Sequence, residues 1–306
     1  MVSGTKIADE IGTTRSEVWR LVQQLREYGV AIEGHPATGY SLNAVPDLLL
    51  PEVLAPLAQG TIFARQIHHY YKVDSTNTAA MGAAGDGSPE GSVFVAEQQT
   101  GGRGRGANTW HSPQSVGIYC SVVLRPKLPP SEALVMTLAA GLAVNAAMRQ
   151  VNAQVHPDLK WPNDVLIDGK KVCGILTEMN AEATRVRHVV VGVGINVNHT
   201  SFPEELSAIA TSLRMATGSE WSRVELCGAL LKSLDQEYRN LLINPNARES
   251  ILERFQQHSS SVRGREVVVE EAGIAGTTEG LDPRGFLQVR TKNGLQTVLS
   301  GMVQLK

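Results

Sequence analysis

The stretch Gln99–Trp110 reads QTGGRGRGANTW and is the most informative segment of this chain. It holds four glycines and two arginines within residues 101–106. Glycine lets the backbone turn sharply and approach a ligand closely, and arginine supplies a planar set of donors that suits carboxylate and phosphate groups. The segment therefore predicts a loop that folds over a small acid or a phosphorylated intermediate. Taken alone, such a run is also typical of flexible loops and of nonspecific contacts with nucleic acid.

Three further motifs narrow this interpretation. Residues 75–77 read STN, residues 160–164 read KWPND, and residues 192–196 read GVGIN. In this order the four segments resemble the catalytic domain of the biotin protein ligases, and the resemblance covers most of the chain. It implies an enzyme that forms biotinyl-5′-AMP from biotin and ATP. The enzyme would then transfer biotin to a lysine of the biotin carboxyl carrier protein of acetyl-CoA carboxylase.

Composition predicts a soluble globular protein. The chain has 306 residues, of which 42% are apolar and 19% charged, and a net charge of −2; this length suggests about two domains. Neither a signal peptide nor a membrane span is expected, because the apolar stretch 133–151 is interrupted by Asn145 and Arg149 and is typical of a core helix. Three scattered cysteines fit a reducing compartment. We therefore expect a cytoplasmic protein.

Residues 1–45 predict a winged helix-turn-helix that begins with the helix usually found second in such domains. Thr14 and Glu17 form a capping box that opens the second helix of the chain, and residues 30–33 and 39–42 would form the wing. Arg15 and Arg20 are the candidate DNA contacts. Residues 1–42 carry four bases and five acids, so a protein-docking role remains the alternative.

The remaining chain predicts an α+β fold in three parts. Pro46, Pro51 and Pro56 indicate a linker over residues 46–60. Residues 61–262 would form a catalytic domain of the biotin/lipoate ligase type around a central mixed sheet. Residues 263–306 hold short apolar strands separated by glycine-rich turns, and the resemblance implies an SH3-like β-barrel there.

The resemblance also assigns the biotin contacts. Hydroxyl and amide groups in residues 75–77 suit the ureido ring, which offers one carbonyl and two N–H groups, although this tripeptide is also typical of helix caps. The family's matching arginines line the biotin and adenylate site. The candidate biotin-binding residues are Ser75, Thr76, Asn77, Gln99, Arg103, Gly104, Arg105 and Lys160.

Lys160 is the residue that we most expect to act in catalysis, together with Arg103 and Arg105. The resemblance implies that its ammonium stabilises charge while the carboxylate of biotin attacks the α-phosphate of ATP. No Ser/His/Asp or Cys/His arrangement for an enzyme nucleophile is apparent in the sequence. The candidate ATP or adenylate contacts are Trp110, Asn163, Asp164, Lys171 and Asn196.

Several roles in this set stay open. Asn163 and Asp164 could bind Mg²⁺ or phosphate, or could serve only the turn. Trp110 could stack on a ligand or pack in the core. The family commonly continues the loop with Gly and Arg, where this chain has Ala107 and Asn108. The absence of this arginine predicts weaker binding of the adenylate.

Two other functions compete with this interpretation. A lipoate–protein ligase shares the catalytic fold, but the complete Gly-Arg-Gly-Arg loop and the winged helix disfavour it. A non-catalytic, biotin-sensing transcriptional regulator is disfavoured by the intact Lys160, Arg103 and Arg105. The resemblance further implies a homodimer in the ligand-bound state, which would bind operator DNA and repress biotin genes.

Overall fold

The structure is a computed structural model that describes residues 1–43, 47–183, 185–299, 301 and 303–305. It divides into two compact units, residues 1–48 and 49–306.

The first unit is a helix-turn-helix followed by a β-hairpin, as predicted. Thr14 accepts a hydrogen bond from the Glu17 amide at 3.2 Å and so caps the second helix. Ala8, Val18 and Val22 form the small core between the helices. The elements are α1 (Gly4–Ile11), α2 (Arg15–Glu27), β1 (Ile32–His35) and β2 (Gly39–Leu42), with β1 and β2 antiparallel.

The second unit begins inside the stretch that the sequence analysis assigned to a linker. A helix, α3 (Pro51–Leu57), starts there, because proline is well tolerated at the first helical position. Leu49 and Leu54 are fully buried in the main core, so apolar burial makes this stretch part of the folded unit. Pro46 lies outside the described residues.

A seven-stranded sheet forms the centre of this unit. Its order is β3-β4-β5-β9-β8-β7-β6, and only the β3–β4 pair is parallel. The sheet is therefore mixed, as predicted. The strands are β3 (Ile67–Tyr70), β4 (Val93–Ala96), β5 (Gly117–Leu124), β6 (Asp158–Lys160), β7 (Asp164–Ile167), β8 (Lys170–Ala181) and β9 (Val186–Asn196).

Helices cover both faces of this sheet. α4 (Thr76–Gly85) packs on one face against Phe94, Val123 and Val190. The larger core includes residues of α5, α8 and α9. Among the described residues, α5 is the helix long and apolar enough to cross a membrane, and 72% of its most apolar window is buried inside the fold. The remaining helices are α5 (Ala133–Val151), α6 (Glu204–Ser207), α7 (Leu213–Thr217), α8 (Arg223–Ile243) and α9 (Ala247–Gln257).

The C-terminal part is an antiparallel sheet in the order β13-β12-β11-β10-β14. The predicted barrel is not confirmed, since closure requires the two edge strands to pair. Within the described residues, β13 pairs with β12 and the three-residue β14 pairs with β10, which leaves the sheet open. The strands are β10 (Arg263–Val269), β11 (Ile274–Leu281), β12 (Leu287–Thr291), β13 (Gly294–Val298) and β14 (Val303–Leu305).

A buried ionic cluster around Glu97 joins distant segments of the second unit. The Glu97 carboxylate accepts hydrogen bonds from the Leu49 amide at 2.9 Å and the Ser115 hydroxyl at 3.0 Å. It lies 2.8 Å from the buried Arg223 guanidinium and 3.2 Å from His69 Nε2. Burial alone would raise the Glu97 pKa, but the His69 contact and the Arg223 charge outweigh it and lower the pKa to about 2. This cluster fixes both ends of the segment that carries the Arg-Gly loop.

Candidate active site

One cavity brings most of the predicted site residues together. It lies over the face shared by β8 and β9, beside the start of α4 and under the loop of residues 101–110. The predicted residues that line it are Ser75, Thr76, Asn77, Gln99, Arg103, Gly104, Arg105, Trp110, Asn163 and Lys171.

A polar network forms at the α4 end of this cavity. The Gln99 side-chain carbonyl accepts hydrogen bonds from the Thr76 amide at 2.8 Å and the Thr76 hydroxyl at 3.1 Å. The Ser121 hydroxyl lies 2.8 Å from Thr76 Oγ1 and 2.6 Å from Asn77 Oδ1. Ser75 caps α4. Ser121 is not recognisable as part of this network from the sequence, because only strand pairing places it beside the other groups.

Glycines form the floor of the cavity. Gly174 on β8 lies directly opposite Gly194 on β9, and Gly192 is two residues away along the same face. A Cβ atom at Gly194 would lie 2.5 Å from Trp110 Nε1, and one at Gly192 would lie 1.9 Å from Asn77 Oδ1. Gly194 and Gly192 therefore leave room for the Trp110 indole and the Asn77 side-chain amide only because they carry no side chain.

The Arg-Gly loop is a tight hairpin over this floor. The Trp110 amide donates to the Gly102 carbonyl and the Gly104 amide donates to the Asn108 carbonyl, each at 2.8 Å. The Asn108 side chain donates to the Arg105 carbonyl at 2.9 Å, so the residue that departs from the family pattern supports the turn. Arg105 reaches the Gly301 carbonyl at 3.4 Å.

Arg103 forms a two-pronged ion pair with Glu178 on β8. Its two terminal nitrogens lie 3.1 and 2.7 Å from the two carboxylate oxygens. Glu178 also accepts a hydrogen bond from the side-chain amide nitrogen, Nδ2, of Asn77 at 3.0 Å. Sequence reasoning missed Glu178. The spacing of four residues between Gly174 and Glu178 could have indicated it, because residues an even number apart in a strand lie on the same face.

Lys171 supplies the ammonium at the other end of the cavity. It forms an ion pair with Asp164 at 2.6 Å and lies 5.4 Å from the centre of the Trp110 ring. The Trp110 indole N–H is buried and has no acceptor among the described residues. Cys173 lies two residues after Lys171 on β8 and is fully buried, and burial raises the pKa of its thiol. A protonated buried thiol is inert as a nucleophile.

Lys160 is not among the described residues that line the cavity. It ends β6, at the edge of the sheet, and pairs with Asp164 on β7. β7 therefore separates it from β8, a displacement of about 10 Å at the usual strand spacing. Lys171, by contrast, lines the cavity, and the catalytic role of Lys160 stays a prediction.

Of the other predicted nucleotide contacts, some line the cavity and others do not. Asn163 lines the cavity and donates to the Ile175 carbonyl at 2.9 Å. Asp164 is not among the described residues that line the cavity, but it forms an ion pair with Lys171, which lines it. Asn196 is buried and donates to the Thr211 carbonyl at 3.1 Å, so its side chain holds the following segment in place.

The first unit carries the candidate DNA contacts on α2. Arg15 is exposed at the start of the helix, and the Trp19 side chain is 59% exposed one turn later. Arg20 forms a two-pronged ion pair with Glu17, its terminal nitrogen at 2.6 Å and its Nε at 3.0 Å. This pairing lowers the Glu17 pKa and raises the Arg20 pKa. Glu17 is thus an acidic partner of Arg20 on the exposed surface of α2.

Three regions of the chain match known protein families. Residues 70–196 match the biotin/lipoate A/B protein ligase family, residues 1–41 match an HTH domain, and residues 263–306 match the biotin protein ligase C terminal domain. The bifunctional ligase/repressor BirA of Bacillus spizizenii is 34% identical over 310 residues, which cover 99% of this chain and 94% of the relative.

Two further relatives extend the comparison. The biotin–[acetyl-CoA-carboxylase] ligase of Mycobacterium tuberculosis is 34% identical over 73% of this chain and 82% of its own length. The solved structure of the Aquifex aeolicus biotin protein ligase in complex with biotin and ATP is 31% identical and has a TM-score of 0.68. It covers 79% of this chain and 99% of its own. The chain therefore belongs to the biotin/lipoate A/B protein ligase family, and within that family to the biotin protein ligases.

Proposed function

We propose that this chain is an ATP-dependent biotin–protein ligase. It forms biotinyl-5′-AMP and then transfers biotin to a lysine of the biotin carboxyl carrier protein of acetyl-CoA carboxylase. The observation that carries the proposal is the single cavity that joins the polar network of residues 75–77, the Arg-Gly loop and Lys171. The names of the relatives support the same activity.

The reaction needs no enzyme nucleophile. A carboxylate oxygen of biotin attacks the α-phosphorus of ATP, and the bond to the leaving pyrophosphate breaks. The carrier lysine amine then attacks the acyl carbon, loses a proton, and AMP leaves. The enzyme must orient the reactants and neutralise negative charge. We assign the ammonium for adenylation to Lys171, with Arg103 and Arg105 on the loop that covers the reactants.

The polar network favours biotin over lipoate. Thr76, Asn77 and Gln99 line one end of the cavity and carry hydroxyl and amide groups, with Ser121 buried behind them. A ureido ring can satisfy these groups, whereas a dithiolane ring has no donors or acceptors of comparable strength. A site built for hydrogen bonds discriminates strongly against a ligand that leaves them unmade.

Magnesium would enter with the nucleotide. Within the described residues, no group of three or more His, Cys, Asp or Glu side chains could hold a metal ion by itself. Mg²⁺ commonly keeps several waters and binds through substrate phosphates plus one or two carboxylates. Asp164, beside Lys171, is the carboxylate that fits this role, and the ion would neutralise phosphate charge.

We propose a second function for the first unit, which is repression of biotin genes through operator DNA. The exposed Arg15 and Trp19 on α2 support this role. The ligand-bound chain would act as a homodimer, with residues 1–45 reading DNA and residues 61–262 performing catalysis. The C-terminal sheet would be an SH3-like element, and the protein would work in the cytoplasm.

Labelling of a carrier domain with biotin and ATP tests the ligase. Wild-type protein should label the carrier, and Lys171→Ala should reduce the rate at least ~100-fold because an electrostatic contact to the transition state is lost. Lys170→Ala is the matched control, since Lys170 is exposed and its ammonium reaches the Ser207 carbonyl at 3.3 Å. Lys160→Ala should keep most of the activity.

Each outcome separates the competing functions. Labelling with lipoate instead of biotin would indicate the lipoate ligase. Tight biotin binding without any labelling would indicate the non-catalytic sensor. A loss of activity in Lys160→Ala but not in Lys171→Ala would reverse the assignment of the two lysines.

A further inference from the structure

A buried serine lies directly behind the polar wall of the cavity. Ser121 on β5 is fully buried, whereas Thr76 and Asn77 at the start of α4 line the cavity. The Ser121 hydroxyl oxygen lies 2.8 Å from Thr76 Oγ1 and 2.6 Å from Asn77 Oδ1. Both distances are those of hydrogen bonds. The placement of two hydroxyl hydrogens therefore decides what Thr76 offers to a ligand.

The orientation of the Asn77 side-chain amide is fixed by its neighbours. Its nitrogen, Nδ2, lies 3.2 Å from the Leu176 carbonyl oxygen and 3.0 Å from a carboxylate oxygen of Glu178. A carbonyl and a carboxylate accept hydrogen bonds, so the nitrogen has to face them. The Asn77 oxygen consequently faces Ser121, and it can only accept because it carries no hydrogen.

These constraints give the hydroxyl hydrogens a single direction. Ser121 has one hydroxyl hydrogen, and the Asn77 oxygen requires it. The 2.8 Å contact between the Ser121 and Thr76 oxygens is then bridged by the Thr76 hydrogen, because two hydroxyl oxygens this close need a hydrogen between them. Thr76 thus donates to Ser121, and Ser121 donates to Asn77.

Gln99 is the weaker partner for the Thr76 hydrogen. The Gln99 side-chain oxygen lies 3.1 Å from Thr76 Oγ1, which is longer than the 2.8 Å contact with Ser121. The same Gln99 oxygen already accepts a hydrogen bond from the Thr76 backbone amide at 2.8 Å. The Thr76 hydrogen is therefore directed at the buried Ser121, and the lone pairs of Thr76 Oγ1 remain for a ligand.

We propose that Ser121 is a specificity-determining residue that acts through Thr76 and Asn77. By accepting the Thr76 hydrogen, it makes the Thr76 hydroxyl an acceptor toward the cavity, which selects a ligand that presents an N–H group. A cyclic urea presents two N–H groups, whereas a dithiolane ring presents none. The identity of this ligand rests on the proposed ligase function. Ser121 is not itself among the described residues that line the cavity.

Titration calorimetry with biotin and initial rates of carrier labelling, both on the full chain, test this role. Ser121→Ala removes the acceptor of the Thr76 hydrogen and the donor to Asn77. We expect the Kd and the KM for biotin to rise about 10-fold, as for the loss of a buried hydrogen bond that leaves its partner unsatisfied. The kcat and the KM for ATP should stay close to the wild-type values, because the network lies at the α4 end of the cavity.

Ser92→Ala is the matched control for a general loss of structure. Ser92 is also fully buried, and its hydroxyl oxygen lies 2.8 Å from Ser88 Oγ and 3.0 Å from the Gln66 side-chain oxygen. It is not among the described residues that line the cavity. This substitution should lower the melting temperature about as much as Ser121→Ala does, but leave the KM for biotin unchanged. An equal rise of this KM in both variants would give Ser121 a structural role only and overturn the proposal.

A double-mutant cycle tests the route through Thr76, and its Thr76→Val member keeps the test open if Ser121→Ala does not fold. Thr76→Val keeps the shape of the side chain and removes its hydroxyl, so the KM for biotin should rise at least as much as in Ser121→Ala. In the Thr76→Val background, Ser121→Ala should raise this KM by only about 2-fold more, since the shared contact is already lost. A full 10-fold rise in both backgrounds would show that the two residues act independently and contradict the proposal. An unchanged KM in Thr76→Val would contradict it as well.

The wild-type chain separates this inference from the proposed function. Wild-type protein that binds and transfers biotin, beside a Ser121→Ala variant with the same KM, would refute the role of Ser121 alone. Wild-type protein that binds no biotin would refute the proposed ligase function, and with it the selection of a cyclic urea.

Discussion

Trp110 shows how single residues fix the geometry of the site. Its indole rests on the opposed Gly174 and Gly194, and the Lys171 ammonium lies 5.4 Å from the ring centre. The aromatic ring thus fills part of the cavity floor and also stabilises a cation by its electron-rich face. In the proposed ligase reaction, the indole is one of the surfaces that the nucleotide would contact.

Alanine at position 194 should displace this indole. A Cβ atom there would lie 2.5 Å from Trp110 Nε1, so Gly194→Ala should lower the rate of carrier labelling at least ~10-fold, as expected for a small misplacement within a reaction centre. Intrinsic fluorescence and initial rates measure both effects.

Gly82→Ala provides the matched control for this substitution. Gly82 is exposed within α4, and a Cβ there meets nothing within 4 Å. The change should preserve activity and raise stability by about 0.5–1 kcal/mol, because alanine favours helix. Normal fluorescence and activity in Gly194→Ala would contradict the assigned position of the indole.

At the scale of elements, local signals predicted the secondary structure well. Thr14 caps α2 as its Thr-x-x-Glu pattern indicates, with a bond of 3.2 Å to the Glu17 amide. Such caps depend on residues three positions apart, which the sequence displays directly. Three prolines suggested a linker, yet α3 formed there because its apolar side chains found the core of the second unit.

The site was less predictable because pairing between strands assembles it. Lys160 stands in the more distinctive motif, but the sheet order puts β7 between it and the cavity. Lys171 lies in an ordinary apolar strand, and the order of β7, β8 and β9 brings it to Trp110. Glu178 likewise meets Arg103 only because the loop folds back over β8, and the sequence alone does not show this contact.

The recognition helix gives a prediction at this scale. Glu17 holds Arg20 in a two-pronged pair, so Glu17→Gln should free one guanidinium and remove one negative charge from the face that meets phosphate. Affinity for duplex DNA at low salt should rise several-fold, and the slope of log K against log salt should steepen by about 0.9.

Fluorescence anisotropy over a salt series measures this change. Glu10→Gln is the control, because Glu10 lies on α1 and, within the described residues, its side chain makes a long exposed contact of 3.9 Å with Lys6. Equal affinity for wild type and Glu17→Gln would indicate that α2 does not face DNA, which would favour the protein-docking alternative.

For the whole molecule, the Glu97 cluster links the proposed site to overall stability. It joins the start of the second unit at Leu49, the end of β4, the segment after the loop at Ser115, and α8 through Arg223. Removal of one partner from a buried ion pair leaves the other charge without compensation and costs about 3–5 kcal/mol. Glu97→Gln should therefore lower the melting temperature of the second unit.

The same carboxylate gives the stability a defined pH dependence. Its pKa falls from 4.5 to about 2 on folding, so the folded state binds the proton less tightly than the unfolded state. The resulting stabilisation, at most about 3 kcal/mol, is present above pH 4.5 and is lost as the pH falls toward 2. Urea unfolding at several pH values should show a smaller loss in Glu97→Gln than in wild type over this window. Glu279→Gln, which removes an exposed partner of Arg290, should follow the wild-type pH dependence; a parallel decline in wild type and Glu97→Gln would show that other carboxylates control acid unfolding.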